Sequence, residues 1–270
     1  MAIAKMNFYQ KTLLKLVNNN IVSINSSILI VAGGKKDKDV FYNHGFTNVM
    51  ISNLDYDRGI KDYEPYSWKK EDAESLSFND NEFDWVFVHA GLHHCASPHK
   101  ALCEMLRVSK KGIGVFESRD STLNKLANTL DLAPSYELEP CVLSNGKYGG
   151  LRNSHIPNYV YKWTENEVKK TVNSYIPQYK HKFYFYYGLL VPTERLAISK
   201  SFFKRTLAIF GKFLIPVFTF FFKKQGNLFA FVIEKNTKLQ PWLKIDNNEI
   251  LFNLDYSKRN FNPEKYSESI

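Results

Sequence analysis

The sequence predicts an α/β fold in which a mostly parallel sheet carries helices on both faces. Three observations carry that expectation. Short apolar runs rich in β-branched residues recur at 28–32, 49–52, 84–89 and 113–117. Segments with helical spacing lie between them, and glycines, serines or asparagines punctuate the run ends.

The chain opens on an amphipathic segment, Met1 to Asn20, whose lysines at 5, 11 and 15 interrupt the apolar positions. It lacks the continuous apolar stretch of a secretory signal. Ile28 to Ala32 reads as a buried strand entering the Gly33-Gly34 turn, with a helix expected from about Asp37 to the glycine at 45. Val49 to Ser52 is a second strand, and residues 55–82 are polar with room for a short helix. Asp84 to His89 is the next strong strand. Ser97-Pro98 then opens a helix, with serine as N-cap, proline at the first turn and Ala101, Leu102, Met105 and Leu106 as the buried stripe. Gly112 is expected to precede a strand from Ile113 to Glu117, followed by a helix from Thr122 to Asp131. Thr164 and Glu167 form a capping-box pair for a helix from about Glu165 to Tyr175. Tyr179 to Leu190 and Asn227 to Lys235 read as two late strands.

In 270 residues with 44% hydrophobic content a sizeable core is affordable, and disorder is not the expectation. Three cysteines make no framework of paired disulfides and fit a reducing compartment, so a cytoplasmic location is expected. The formal charge of +9 favours acidic partners such as phosphates, nucleic acid or anionic lipid without choosing among them.

Ligands of parallel sheets bind beyond the carboxyl ends of the strands, which here are 32–36, 53–55, 89–94 and 117–120. Glycine after the first strand lets backbone approach a ligand, and the next helix start adds N–H donors. No G-x-G-x-x-G pattern is present, so the dinucleotide fingerprint is missing. Asn53, followed by Leu54 and Asp55, stands where a nucleoside-binding fold places an acceptor for ribose hydroxyls. His89, His93, His94, Cys95, His99 and Cys103 fall within fifteen residues, but no second ligand pair completes a tetrahedral set, and no metal is expected.

An ordered series of segments points further. Glu71 to Phe78 leads into Asn81 to His89, then come Gly91-Leu92-His93-His94, the helix Ala101 to Val108, and Lys110 to Glu117. From about Ser27 to Asp120 the chain resembles the small-molecule, type 11 branch of the class I S-adenosylmethionine-dependent methyltransferases. The resemblance implies a Rossmann-like methyltransferase sheet with a late antiparallel strand, and S-adenosyl-L-methionine as cofactor. It implies Asp72 and Ala73 at the adenine, Phe83-Asp84 opening the fourth strand, and the segment from His89 and Ala90 to His94 beside the methionine part. Ala32, Gly33, Gly34, Asn53, Leu54, Asp72, Ala73, His89 and Ala90 are therefore the expected cofactor-binding residues. The sequence departs from the family at Ile30, Ala32, Lys36 and Asn53, which replace an acid, two glycines and the ribose acid. Lys35 and Lys36 offer positive charge to the cofactor's carboxylate instead.

The activity so implied is methylation of a small-molecule or glycan-type acceptor, with oxygen as the expected atom. The alternative is a methyltransferase-like binding domain without catalysis, and a nucleic-acid methyltransferase is disfavoured because no Asn-Pro-Pro-Tyr-like segment follows the fourth strand. A hydroxyl acceptor gains from a base near neutral pKa, and His93 or His94 is the expected one, with Glu117 and Asp120 in reserve.

The chain divides into a helical lead-in (1–26), a cofactor-binding half (27–120), substrate or cap insertions with the last strands (121–237) and an extension (238–270). Tyr148 to Asn153 and Asn158 to Trp163 are expected to shape the acceptor pocket. A basic, aromatic helix is expected at about 195–224. Lys212 and Pro216 argue against its spanning a bilayer, since a span wants ~20 apolar residues. A lid over the site is the expected role, and a peripheral contact with anionic membrane is the other reading.

Overall fold

Alternate residues of the first strand point to opposite cores, and the whole architecture follows from that alternation. The computed structural model describes residues 6–55, 60–130, 132–190 and 201–256. Residues 1–5, Asp131, the start of the basic segment at 195–200 and the tail from 257 lie outside these.

Strands β1 (Ile28–Val31), β2 (Val49–Asn53), β3 (Ser67–Lys70), β4 (Phe83–His89) and β5 (Ser109–Arg119) pair in parallel in the order β3-β2-β1-β4-β5. The sheet is completed by β10 (Leu228–Glu234), antiparallel to β5, and by β9 (Lys182–Gly188) at the edge, antiparallel to β10. The short β8 (Lys162–Trp163) pairs in parallel with Ser118 and Arg119 at the end of β5, beyond the stretch that β4 covers. This is the expected Rossmann-like sheet, mostly parallel with one late antiparallel strand. Two antiparallel pairs, β6 (Tyr136–Glu137) with β7 (Asn158–Tyr159) and the hairpin β11 (Leu243–Asp246) with β12 (Glu249–Phe252), stand apart from it. The late strands β9 and β10 thus share one sheet with β1 to β5.

Helices cover both faces. On one, Leu29, Val31, Val86 and Val88 pack with Leu102, Met105 and Leu106 of α3 (Pro98–Val108) and with Val168 and Val172 of α6 (Glu165–Tyr175). On the other, Ile28, Ile30, Trp85 and Phe87 pack with Leu13 and Leu16 of α1 (Phe8–Asn18) and with Val40 and Phe41 of α2 (Lys35–Asn43). The period of two in the strands puts successive residues in different cores.

The capping chemistry forms as expected. Ser97 Oγ accepts from the Lys100 amide with Pro98 in the first turn, and Thr164 and Glu167 make a reciprocal box at α6. Several boundaries differ from expectation, two of them for a local reason. β5 starts at Ser109, so Gly112 lies inside the strand, paired with Trp85 and Glu234. α2 begins at Lys35, two residues early, because Asp37 caps it by accepting from the Gly34 amide at 2.8 Å. The remaining helices are α4 (Thr122–Thr129), α5 (Glu139–Leu143) and α7 (Phe202–Phe221).

Leu102 is fully buried in the α3 stripe. Leu102→Ala is expected to lower stability by ~2–5 kcal/mol through lost transfer energy and a residual cavity. Urea denaturation checks this, and an unchanged midpoint would show that the helix does not pack on the sheet as described.

Candidate functional site

The tip of β1 is built by close packing. A Cβ at Gly33 would lie 2.8 Å from the Ile30 Cγ2 and 2.9 Å from the Ile51 Cγ2, so only glycine fits the bend. Ala32 and Ala90, at the tips of β1 and β4, both hold left-handed backbone, with φ of 50° and 52°. That conformation disfavours residues with a Cβ.

Asn53 fastens this bend to the second strand. Its Nδ2 donates to the Gly33 carbonyl at 2.6 Å and to the Tyr63 hydroxyl at 2.8 Å. Its Oδ1 accepts from Trp68 Nε1 and from the Asp55 amide, each at 3.1 Å. Two donors and two acceptor positions are the capacity of an amide side chain. Asn53 is therefore committed to holding the loop, and Asp55 is the carboxylate that reaches the open space beside it.

That space is a cavity of about 450 Å³ at the strand tips. Ala32, Gly33, Gly34, Asn53, Leu54, Asp72, Ala73 and Ala90 all line it, together with His94 and Asp55. A roof comes from Pro140, Leu143, Tyr148, Gly150, Arg152 and Asn153, the region of α5 and the turn after it. Of the two segments that the sequence assigned to the acceptor pocket, Tyr148 to Asn153 borders the cavity, and no residue of Asn158 to Trp163 lines it. Arg152 pairs with the Asp72 carboxylate, and Asn153 Nδ2 donates to the Leu54 carbonyl and to Asp55 Oδ1, each at 3.3 Å. Two neighbouring acids are engaged elsewhere. Glu71 binds Ser77 and Lys69, while Glu74 accepts from the Ala96 and Ser97 amides at 3.0 and 2.9 Å.

His89 is the expected cofactor residue that lies outside the cavity lining. Its ring stacks on Tyr9 at 4.4 Å and 6°, and its Nε2 is 3.5 Å from Lys36 Nζ. Burial, helped by the Lys36 ammonium, pushes its pKa down to about 4. Lys36 is thereby drawn toward His89.

The two expected catalytic histidines differ in environment. They share the 3₁₀ turn 92–94 after β4. His93 is buried, with Nδ1 at 2.6 Å from Glu117 Oε2 and Nε2 at 3.2 Å from Glu137 Oε2. Burial would push its pKa down, but Glu117 and then Glu137 override this and raise it to about 10. An imidazole held as imidazolium is a poor proton acceptor at neutral pH, so His93 does not suit the role of base. His94 lines the cavity, with Nε2 at 3.3 Å from Glu137 Oε2 and Nδ1 at 3.3 Å from the Gly150 carbonyl oxygen. Hydrogen bonds from His93 and His94 hold the Glu137 carboxyl well below the ordinary range. Asp120, a reserve candidate, pairs instead with Lys125 at 3.1 Å.

The histidine–cysteine series does not converge. His99 binds Glu167 at 3.1 Å, and Cys95 Sγ contacts the Gly91 carbonyl at 3.7 Å. Among the described residues, the trio with ligand atoms within 4.8 Å of one another is His93, His94 and Glu137. Glu137 escaped sequence reasoning because it lies in an irregular stretch with no periodic or spacing link to the histidines.

Asp37, which caps α2 below the bend, titrates unusually. Burial raises its pKa to about 6, partly offset by the Gly34 amide. A carboxyl raised above its unfolded value stabilises fully only below about pH 4, and that contribution is lost as pH rises through 6. Asp37→Asn should therefore gain stability relative to the parent between pH 4 and 6, by at most about 3 kcal/mol. Urea denaturation at several pH values tests this, and a constant difference across that window would contradict it.

Residues 46–116, from the approach to β2 through most of β5, match the family model described as a methyltransferase domain. The ubiquinone/menaquinone biosynthesis C-methyltransferase of Zymomonas mobilis is 38% identical over 93 residues, 32% of this chain and 38% of that protein. The demethylmenaquinone methyltransferase of Renibacterium salmoninarum is 54% identical over 41 residues, 15% of this chain and 17% of that protein. The chain thus spans less than two fifths of the length of these curated relatives. A solved S-adenosylmethionine-dependent methyltransferase from Archaeoglobus fulgidus superposes with a TM-score of 0.49 at 13% identity, over 84% of this chain and 94% of that one. Over residues 46–116 the chain is thus similar to methyltransferase domains.

Proposed function

We propose that this protein transfers the methyl group of S-adenosyl-L-methionine to a small-molecule acceptor. The observation that carries this reading is the single cavity shared by the Gly33 bend, Asp55, Asp72, Ala73, Ala90 and His94. Its volume of about 450 Å³ falls in the range of small-molecule and cofactor sites. Asp72 and Ala73 are assigned to the adenine, and Ala90 and its neighbours to the methionine part. The ribose hydroxyls are assigned to Asp55, with Asn53 supporting the loop. The methyl of the sulfonium is already activated, so the protein's contribution is chiefly alignment of the acceptor for in-line attack.

The acceptor is assigned a hydroxyl, of the kind a glycan-type molecule would offer, with methylation at oxygen. His94 is placed to take its proton and Glu137 to stabilise the resulting imidazolium. A second acceptor class is suggested by the Zymomonas mobilis relative, a C-methyltransferase of ubiquinone/menaquinone biosynthesis. Product analysis by mass spectrometry and NMR separates methylation at oxygen from methylation at a ring carbon.

A peripheral membrane role is a further part of this reading. Phe202, Ile209, Phe210, Leu214, Val217, Phe220 and Phe221 of α7 are exposed, and their spacing places them on one broad face of the helix. Arg205, Lys223 and Lys224 stand near its two ends. No described residue of α7 lines the cavity. Among the described residues no helix is long and apolar enough to cross a membrane. An exposed apolar stripe with flanking cations suits a helix lying on an anionic bilayer.

Calorimetry with S-adenosyl-L-methionine should show binding that Asp72→Ala weakens about tenfold or more, through loss of a charge-assisted hydrogen bond. Absence of binding by the parent at millimolar cofactor would favour a scaffold without catalysis. His94→Ala should lower turnover by ~10²–10⁴ while leaving cofactor affinity near that of the parent. The full chain should sediment with vesicles rich in anionic lipid at low salt, and Lys223→Glu with Lys224→Glu should abolish this. Sedimentation unaffected by those changes would rule out the electrostatic part of membrane docking.

A further inference from the structure

We propose that His93, His94 and Glu137 form a binding site for a divalent cation of the zinc type at the edge of the cavity. Both histidine Nε2 atoms reach the same oxygen, Glu137 Oε2, at 3.2 and 3.3 Å. A tetrahedral ion with ligand bonds of ~2.0–2.1 Å has edges of about 3.3–3.4 Å between its ligands, which those distances match. The two rings come from adjacent residues, yet their centroids lie 4.7 Å apart with planes at 35°. The turn at 92–94 directs both toward β6.

The surroundings also fix the tautomers. His93 Nδ1 faces Glu117 Oε2 at 2.6 Å, and the other oxygen of Glu117 accepts from the Leu92 amide at 2.8 Å. Glu117 is itself buried. His94 Nδ1 faces the Gly150 carbonyl oxygen at 3.3 Å. Each Nδ1 thus meets an acceptor that calls for a proton there, so a cation that displaces the Nε2 protons from Glu137 would meet both Nε2 lone pairs at the shared point. A buried carboxylate behind a histidine is the usual outer support of a metal-bound imidazole. Two imidazoles and one carboxylate are also the protein ligands of a catalytic zinc centre, with a fourth position left open.

The role of the ion deepens the methyl-transfer reading and rests on it, while its binding does not. An acceptor hydroxyl at the open position would be acidified by the ion and release its proton to solvent. The methyl would then pass from the sulfonium sulfur to that oxygen, leaving the neutral thioether. In the loaded protein the ion takes over from His94 the task of acidifying the acceptor.

The test uses the full chain stripped with chelator and titrated with zinc chloride against a chromophoric competitor, without cofactor or acceptor. One ion per chain is expected, with the cobalt(II)-loaded protein showing the visible absorption of a four-coordinate site. His93→Ala and Glu137→Gln should each remove the stoichiometric ion. Glu117→Gln should weaken it roughly 10–100-fold. His99→Ala, outside the trio, should leave it intact. Failure of the folded parent to take up zinc at about 10 μM, or uptake unchanged in a His93→Ala and Glu137→Gln double variant, would reduce the cluster to an ion-paired imidazolium. The cobalt spectrum of the parent decides the matter even where a variant fails to fold. Cofactor calorimetry on the same protein separates the two readings: cofactor binding without zinc binding overturns this inference alone, and the converse overturns the proposed activity alone.

Discussion

The four hydrogen bonds of the Asn53 side chain are the constraint on which the cavity depends. One amide joins the Gly33 carbonyl, the Tyr63 hydroxyl, the Trp68 indole and the Asp55 amide, so the end of β1, the 3₁₀ turn 60–63, β3 and the loop after β2 are held in one frame. Buried polar groups that lose a partner cost about 1–3 kcal/mol each, so these bonds fix the loop far more firmly than their net strength suggests. The family's usual carboxylate at this position could not donate to the Gly33 carbonyl or the Tyr63 hydroxyl. With an amide at this position the bend gains two donated hydrogen bonds, to the Gly33 carbonyl and the Tyr63 hydroxyl.

A second polar frame lies across the cavity. Glu117 at the end of β5 holds both the Leu92 amide and the His93 ring, so the loop after β4 is oriented by its neighbouring strand. Glu137 then ties that loop to β6, outside the main sheet. Opposite charges meet within this group at the expense of desolvating several ionisable side chains. Such an arrangement persists in a fold only where its geometry is well satisfied.

The fold was legible because its determinants are local. Alternating apolar residues, the Ser97-Pro98 start and the Thr164–Glu167 box each specify an element within a few residues, and the β5 boundary was missed only because Gly112 reads as a breaker outside its pairing context. The candidate site was legible in part. Gly33, Asp72 and Ala90 sit in linear motifs and line the cavity. Asn53 was identified by position, but its saturation by Tyr63 and Trp68 is a tertiary fact. Arg152 and Glu137 act on residues 80 and 44 positions away in the chain, and no sequence pattern encodes those encounters. His89 was drawn in by its motif, whereas packing turned its ring onto Tyr9.

The pairing of Arg152 with Asp72 bears on the order of events at the cavity. On the methyl-transfer reading, the adenine must compete with a guanidinium already seated on its carboxylate, so apparent affinity is reduced by the fraction of molecules in which that contact is closed. Arg152 belongs to the same roof as Tyr148 and Gly150. Arrival of the nucleoside would therefore release the roof that the acceptor must pass, and the two ligands would enter in sequence, donor first.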